Sequence, residues 1–194
     1  DEVANLLDLV ENGDGLTETQ RKYHQYTRSR DLAMLTLFLG TGIRISECVG
    51  LDVDHFDFKV NGFTVYRKGG SQSILYFGDE VRKALLDYIE ERKKIQPKSG
   101  HENAFFLSMQ KRRISNRAVQ NLVKKYTKIV APLKNISPHK LRSTYGTNLY
   151  QETGDIYLVA DVLGHKDVNT TRKHYAALSD EKRRMAAKAV KLRE

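Results

Sequence analysis

The residues best suited to chemistry fall between Ser137 and Tyr175, in the segments S-P-H-K-L-R, L-G-H and T-T-R-K-H-Y. This stretch carries Arg142, the histidines His139, His165 and His174, and Tyr175, and its first carboxylate is Glu152. Guanidinium and imidazole donors around a phenol suit a phosphate diester, since they neutralise its charge while the phenol supplies a nucleophile. No spacing of His, Cys, Asp or Glu reads as a metal-ligand set. His139 and Arg142 are three residues apart, so on a helix they share a face. A helix starting at Ser137-Pro138 would add unpaired N–H groups and a partial positive charge, both favourable to a phosphate. Upstream, Arg44 follows the break Gly40-Thr41-Gly42, and Glu47 lies three residues on, where it can orient the arginine. Taken singly, each of these also fits an ordinary surface residue or ion pair. Tyr175 alone fits a packing role, and only about a thousandth of a phenol is ionised at pH 7, a deficit of roughly 4 kcal/mol that cationic neighbours or a base must offset.

The charge distribution points to the partner. Lys and Arg number 33 against 24 Asp and Glu, a net +9. Between Asn103 and Gln151 there are ten Lys or Arg and no acid, whereas residues 1–102 carry 14 cations and 17 anions. An acid-free basic stretch suits a polyanion, and counterion release from a nucleic acid is the usual source of affinity. A solubilising surface would intersperse the two signs. The single cysteine, Cys48, excludes an internal disulfide and is expected in the core. The longest apolar run, Leu32 to Gly40, is about half a membrane span, and the acidic N-terminus does not resemble a signal peptide. A soluble, cytoplasmic protein is therefore expected, with 194 residues in a single domain.

Helical periodicity marks Glu2 to Val10, a short polar helix from Thr17 to Thr27, an apolar helix opened by Asp31, and another from Ile43. From Val53 to Phe77 the pattern alternates, with strands near 53–58, 63–67 and 73–77 and turns at Asn61-Gly62 and Lys68 to Ser71. Helices are then expected at 81–95, from Ser115 to Val130, from Ser137 to Gln151, from Asp155 to Leu163, around 170–175, and from about 180 to 193. The fold class is thus α+β, mostly helical with a small three-stranded antiparallel sheet. The helix after Ser115 puts Arg117, Lys124, Lys125 and Lys128 opposite its apolar face, where they either meet a phosphate backbone or are solvated. Lys140 belongs to the same basic stretch.

Read together, G-T-G-I-R-I-S-E-C-V-G-L at 40–51, S-P-H-K-L-R at 137–142, L-G-H-K at 163–166 and T-T-R-K-H-Y at 170–175 resemble the ordered boxes of the tyrosine recombinases, the phage integrase family. The resemblance covers the catalytic domain and implies its roles. Arg44 and Arg142 would grip the scissile phosphate, His139 would serve the attacking phenol, and His165 would donate to the phosphate. Tyr175 would be the nucleophile, joining the DNA 3′-phosphate and releasing a 5′-hydroxyl, and Glu47 would support the site. The family's hairpin lysine, which protonates the leaving oxygen, matches Lys68 by position. Tyr175 follows His165 by ten residues where many members have nine, a spacing similar to that of some integrases of conjugative transposons.

The resemblance implies no metal and no ATP or other cofactor, because arginines and histidines do the electrostatic work and the phosphotyrosyl bond conserves the phosphodiester's energy. The implied partner is double-stranded DNA, on two duplexes of which a homo-tetramer assembles to integrate and excise a mobile element. It further implies an N-terminal DNA-binding domain, absent from this chain, and a terminal helix at about 180–193 that packs in cis or on a neighbouring protomer. Alternatives are a type IB topoisomerase-like enzyme and a catalytically silent DNA-binding relative.

Overall fold

Helix α1 (Glu2–Asn12) begins where the Asp1 carboxylate accepts the Val3 amide and ends at Gly13 in the left-handed region. Thr17 and Gln20 then cap one another reciprocally and start α2 (Glu18–Thr41). The computed structural model describes residues 1–165 and 168–174 together with 187, 189, 192 and 193. Tyr175 and most of the terminal helix expected at 180–193 lie outside the described residues.

The two helices expected between Thr17 and Gly40 are one helix of 24 residues. Asp31 does not cap a new helix. Its fully buried carboxylate receives Arg30 through two bonds of 3.0 and 2.9 Å and the Tyr126 hydroxyl at 2.5 Å. A residue type that commonly opens helices is here a tertiary partner in the middle of one, and no Gly or Pro interrupts residues 18–39. Gly42 ends α2 with φ +70, and a short helix, α3 (Ile45–Val49), follows at once.

A single 3₁₀ turn, Val53–His55, leads to β1 (Phe56–Asp57), β2 (Gly62–Tyr66) and β3 (Gln72–Tyr76). They form an antiparallel sheet in the order β1-β2-β3, with Phe56 opposite Phe63 and Phe63 opposite Leu75. Alternation sends Phe63, Val65 and Leu75 into the core and leaves Tyr66, Ile74 and Tyr76 exposed. Helix α4 (Asp79–Arg92) packs on α2, and α5 (Asn116–Val130) starts at Ser115, whose hydroxyl accepts the Ala118 amide. Pro138 lies in the first turn of α6 (Pro138–Thr153), which Ser137 caps. Asp155 caps α7 (Ile156–Leu163) through the amides of Tyr157 and Leu158, and α8 (Val168–His174) completes the described elements.

The main core joins α1 to α5, the sheet and Leu141 of α6, with Phe38, Phe105, Phe106 and Tyr126 at no more than 1% exposure. Cys48 is buried there, and burial pushes its thiol well above the ordinary range. A separate cluster of Tyr150, Val159 and Leu163, with Tyr145, Leu149 and Ile156 around it, holds α6 and α7 together. No helix among the described residues is long and apolar enough to cross a membrane.

Candidate active site

Arg44 occupies the N-cap position of α3, where its extended backbone leaves the helical path and its amide donates to Glu47 Oε1 at 2.9 Å. Glu47, 6% exposed, thus caps the helix that carries it, and its other oxygen lies 3.9 Å from Arg44 and 3.6 Å from Arg67. One carboxylate therefore fixes the start of α3 and faces two guanidiniums.

Arg142 faces inward from the second turn of α6 and is 6% exposed. It donates to the Gly42 carbonyl and to the Leu163 carbonyl, both at 2.7 Å. The first bond spans 100 residues and ties α6 to the break before Arg44; the second ties it to the last residue of α7. Gly42 is required on two counts. Its φ is +70, and a Cβ there would lie 2.5 Å from the Tyr145 ring.

Arg67, the residue after β2, continues the inward alternation of Phe63 and Val65 and is 7% exposed. Its Nη2 donates to the Val162 carbonyl at 2.8 Å and its Nη1 to the Leu163 carbonyl at 2.9 Å. Both acceptors belong to the negative end of α7, which favours a cation. Burial lowers the Arg67 pKa from its ordinary value, the Glu47 carboxylate opposes that fall, and Arg44 adds to it. Among the described residues, Arg67 Nε and Glu47 Oε2 are the buried side-chain polar atoms without a hydrogen-bond partner.

Arg44 and Arg67 line an open cleft of about 480 Å³ together with Lys68, Asp161, Gly164 and His165, among others, whereas Glu47 and Arg142 are not among its lining residues. Lys68 is exposed, at the turn that the Arg67 amide closes on the Ser71 carbonyl at 2.7 Å. His165 follows Gly164, the left-handed cap of α7, and its amide donates to the Ala160 carbonyl at 2.9 Å. Its Nδ1 meets the hydroxyl of fully buried Thr171 at 2.5 Å, which fixes the ring and turns Nε2 away from that bond. His139 is exposed on the first turn of α6 and is not among the residues lining this cleft. Tyr175 lies outside the described residues, one position beyond α8.

Arg44, Lys68 and His165, separated by up to 121 residues, thus share one cleft, with Arg142 braced beside it through the Leu163 carbonyl. Sequence reasoning singled out neither Asp161, Thr171 nor Arg67 in a role of its own. For Arg67 the alternation along β2 was the available signal; for Thr171 it was its place inside T-T-R-K-H-Y. Among the expected DNA contacts, Arg117, Lys124, Lys128 and Lys140 are exposed. Lys125 differs, because its ammonium turns inward to 3.7 Å from Asp31 and lies 4.5 Å from the Tyr126 ring centroid. The buried Asp31 carboxylate explains that turn. The structure also gathers Asp52, Asp54 and His55, a trio that spacing alone did not suggest. Asp52 is ion-paired with Arg113 at 2.5 Å, and His55 Nδ1 accepts the Asp52 amide.

Fold and site together define a mostly helical domain with a three-stranded sheet and an open cleft on which Arg44, Arg67, Lys68 and His165 converge. The phage integrase family matches residues 1–182, and the chain belongs to that family. It is 35% identical over 151 residues to the tyrosine recombinase XerC of Thermodesulfovibrio yellowstonii, covering 76% of this chain and 50% of the relative. The chain therefore spans about half the length of the curated relatives it matches. Its fold is that of the XerA recombinase crystal structure (TM-score 0.79, 22% identity, all of this chain and 64% of that one). It is shared with the Tn1549 transposon integrase in complex with transposon right end DNA (TM-score 0.67, 22% identity, 94% of this chain and 64% of that one).

Proposed function

We propose that this chain is the catalytic domain of a site-specific DNA recombinase that cuts and rejoins strands through a covalent 3′-phosphotyrosyl intermediate. The observation that carries the reading is the convergence of Arg44, Lys68 and His165 on one open cleft, with Arg142 bonded to the Leu163 carbonyl two residues before His165. In this mechanism the Tyr175 oxygen forms a bond to phosphorus while the bond from phosphorus to the 5′-oxygen breaks. The phenolic proton passes to a base, with His139 in that role, and Lys68 gives its proton to the departing 5′-oxygen. Arg44, Arg142 and His165 hold the non-bridging oxygens as charge builds on them. Attack on the phosphotyrosine by a 5′-hydroxyl of a second duplex reverses these transfers and completes recombination.

Four protomers on two duplexes supply the two pairs of strands, and the setting is the integration and excision of a mobile element. The ten-residue step from His165 to Tyr175 and the fold shared with a transposon integrase support that setting. A suicide duplex nicked beside the cleavage site tests the chemistry. The native protein should leave a DNA adduct that survives SDS, and Tyr175→Phe should leave none. An adduct of unchanged yield with Tyr175→Phe would remove Tyr175 from the reaction.

A further inference from the structure

We propose that Arg67 is a positioning residue that locks the Lys68 turn to the loop carrying His165, so that leaving-group protonation and phosphate binding are assembled as one unit. The inference rests on the reading of Lys68 as general acid given above. The backbone and side chain of Arg67 act in different directions. Its amide and carbonyl close the turn around Lys68, through Ser71 O at 2.7 Å and the Gly70 amide at 3.1 Å. Its guanidinium reaches across to the carbonyls of Val162 and Leu163. The residue before the expected acid is thus fixed to the residues just before Gly164 and His165.

A guanidinium is a costly choice for the inward position just past β2, after Phe63 and Val65, because a buried charge needs compensating partners, and Nε has none. Here it meets two carbonyls at the negative end of a helix and a carboxylate at 3.6 Å. The fork geometry reaches two adjacent carbonyls at once, which an ammonium does not reproduce. Gly164 completes the fit. A Cβ at that position would fall on Arg67 Nη1, so the glycine between Leu163 and His165 both ends α7 and leaves room for the arginine. The Leu163 carbonyl also receives Arg142, so the link runs on from the Lys68 turn to the phosphate clamp.

The test separates positioning of the acid from every other role by changing the leaving group. Cleavage rates of the native protein, Arg67→Gln, Arg67→Lys, Gly164→Ala and Lys68→Ala are measured on two suicide duplexes. One has an ordinary 5′-oxygen and the other a 5′-bridging sulfur at the scissile phosphate, with circular dichroism melts confirming the fold. A thiolate departs without a proton, so a protein lacking only its acid regains speed on the sulfur substrate.

Arg67→Gln should be roughly 100-fold slow on oxygen, the scale of a mispositioned catalytic group, and within about threefold of native on sulfur. Lys68→Ala should behave alike, whereas Gly164→Ala, which displaces the same guanidinium but also strains the left-handed backbone before His165, should be slower on oxygen and only partly rescued on sulfur. Arg67→Lys, which keeps the charge opposite Glu47 but loses the fork, should show a smaller defect with the same rescue, and it stands in if the Gln variant does not fold. Equal slowing of the Arg67 variants on both substrates, with Lys68→Ala rescued, overturns the inference and assigns Arg67 to the phosphate or to the fold. Failure of sulfur to rescue Lys68→Ala instead removes Lys68 as the acid and takes the inference with it.

Discussion

The body of the domain and the limb formed by α6, α7 and α8 are held by different physics. In the body, aromatic rings pack without solvent: Phe105 lies 4.4 Å from Phe56 and 4.8 Å from Phe106, centroid to centroid, and Tyr88 meets both Phe105 and Phe106. In the limb, the fully buried apolar cluster shrinks to Tyr150, Val159 and Leu163. Its far end meets the body through Val162, which packs on the main core, through Arg67, which reaches the Val162 and Leu163 carbonyls, and through Arg142, which joins the Leu163 carbonyl to that of Gly42. Apolar contact is tolerant of small shifts and roughly proportional to area, whereas a charge-assisted hydrogen bond specifies distance and direction. The body therefore sets how stable the domain is, and the polar ties set where His165 stands relative to Arg44 and Lys68.

Truncation should expose this division most clearly in the body. Phe105→Ala removes a ring at 1% exposure with aromatic neighbours on several sides, and about 3–5 kcal/mol of unfolding free energy should go with it. The loss is read from the urea midpoint, while the cleavage rate of the folded fraction should stay within about twofold. A large fall in that rate would mean the body also sets site geometry. Arg142→Lys probes the opposite side. It should slow cleavage on the order of 100- to 1,000-fold, the scale of losing one preorganised donor to a developing negative charge. Its urea midpoint should shift by less than half as much as that of Phe105→Ala. An equal loss of stability would show that the limb and body unfold as one cooperative unit and that the contrast is one of contacts alone.

Local signals explain what could be read from the chain. The caps at Ser115, Ser137 and Asp155 and the stops at Gly13, Gly154 and Gly164 act within one helical turn, so these boundaries were legible. Asp31 was misread for the same reason. Its local preference for a helix start yields to a partner 95 residues away, Tyr126, that no short window contains. That same long-range carboxylate draws the Lys125 ammonium inward from the basic face of α5. The motifs named Arg44, His139, Arg142, His165 and Tyr175 because each box keeps its residues close in sequence. The role of Arg67 depends on a tie across 96 residues to a backbone carbonyl, which has no side-chain signature.

Capping offers the smallest and sharpest comparison, because one side-chain cap can be removed in each region. Ser115→Ala in the body removes the acceptor for the Ala118 amide at 3.1 Å. Asp155→Ala in the limb removes the acceptor for the Tyr157 and Leu158 amides, both at 3.0 Å. Each should weaken its helix by about 1 kcal/mol. Because α5 is buried along Val119, Leu122, Val123 and Tyr126, its opening requires the main core to open, and the Ser115→Ala loss should appear in full in global unfolding. Helix α7 has eight residues and a small core, so it can open alone. Asp155→Ala should then speed hydrogen exchange of the α7 amides about fivefold while barely moving the urea midpoint. Uniformly faster exchange through α2 and α5 in Asp155→Ala would erase the distinction, since it would tie the capping of α7 to the stability of the whole domain.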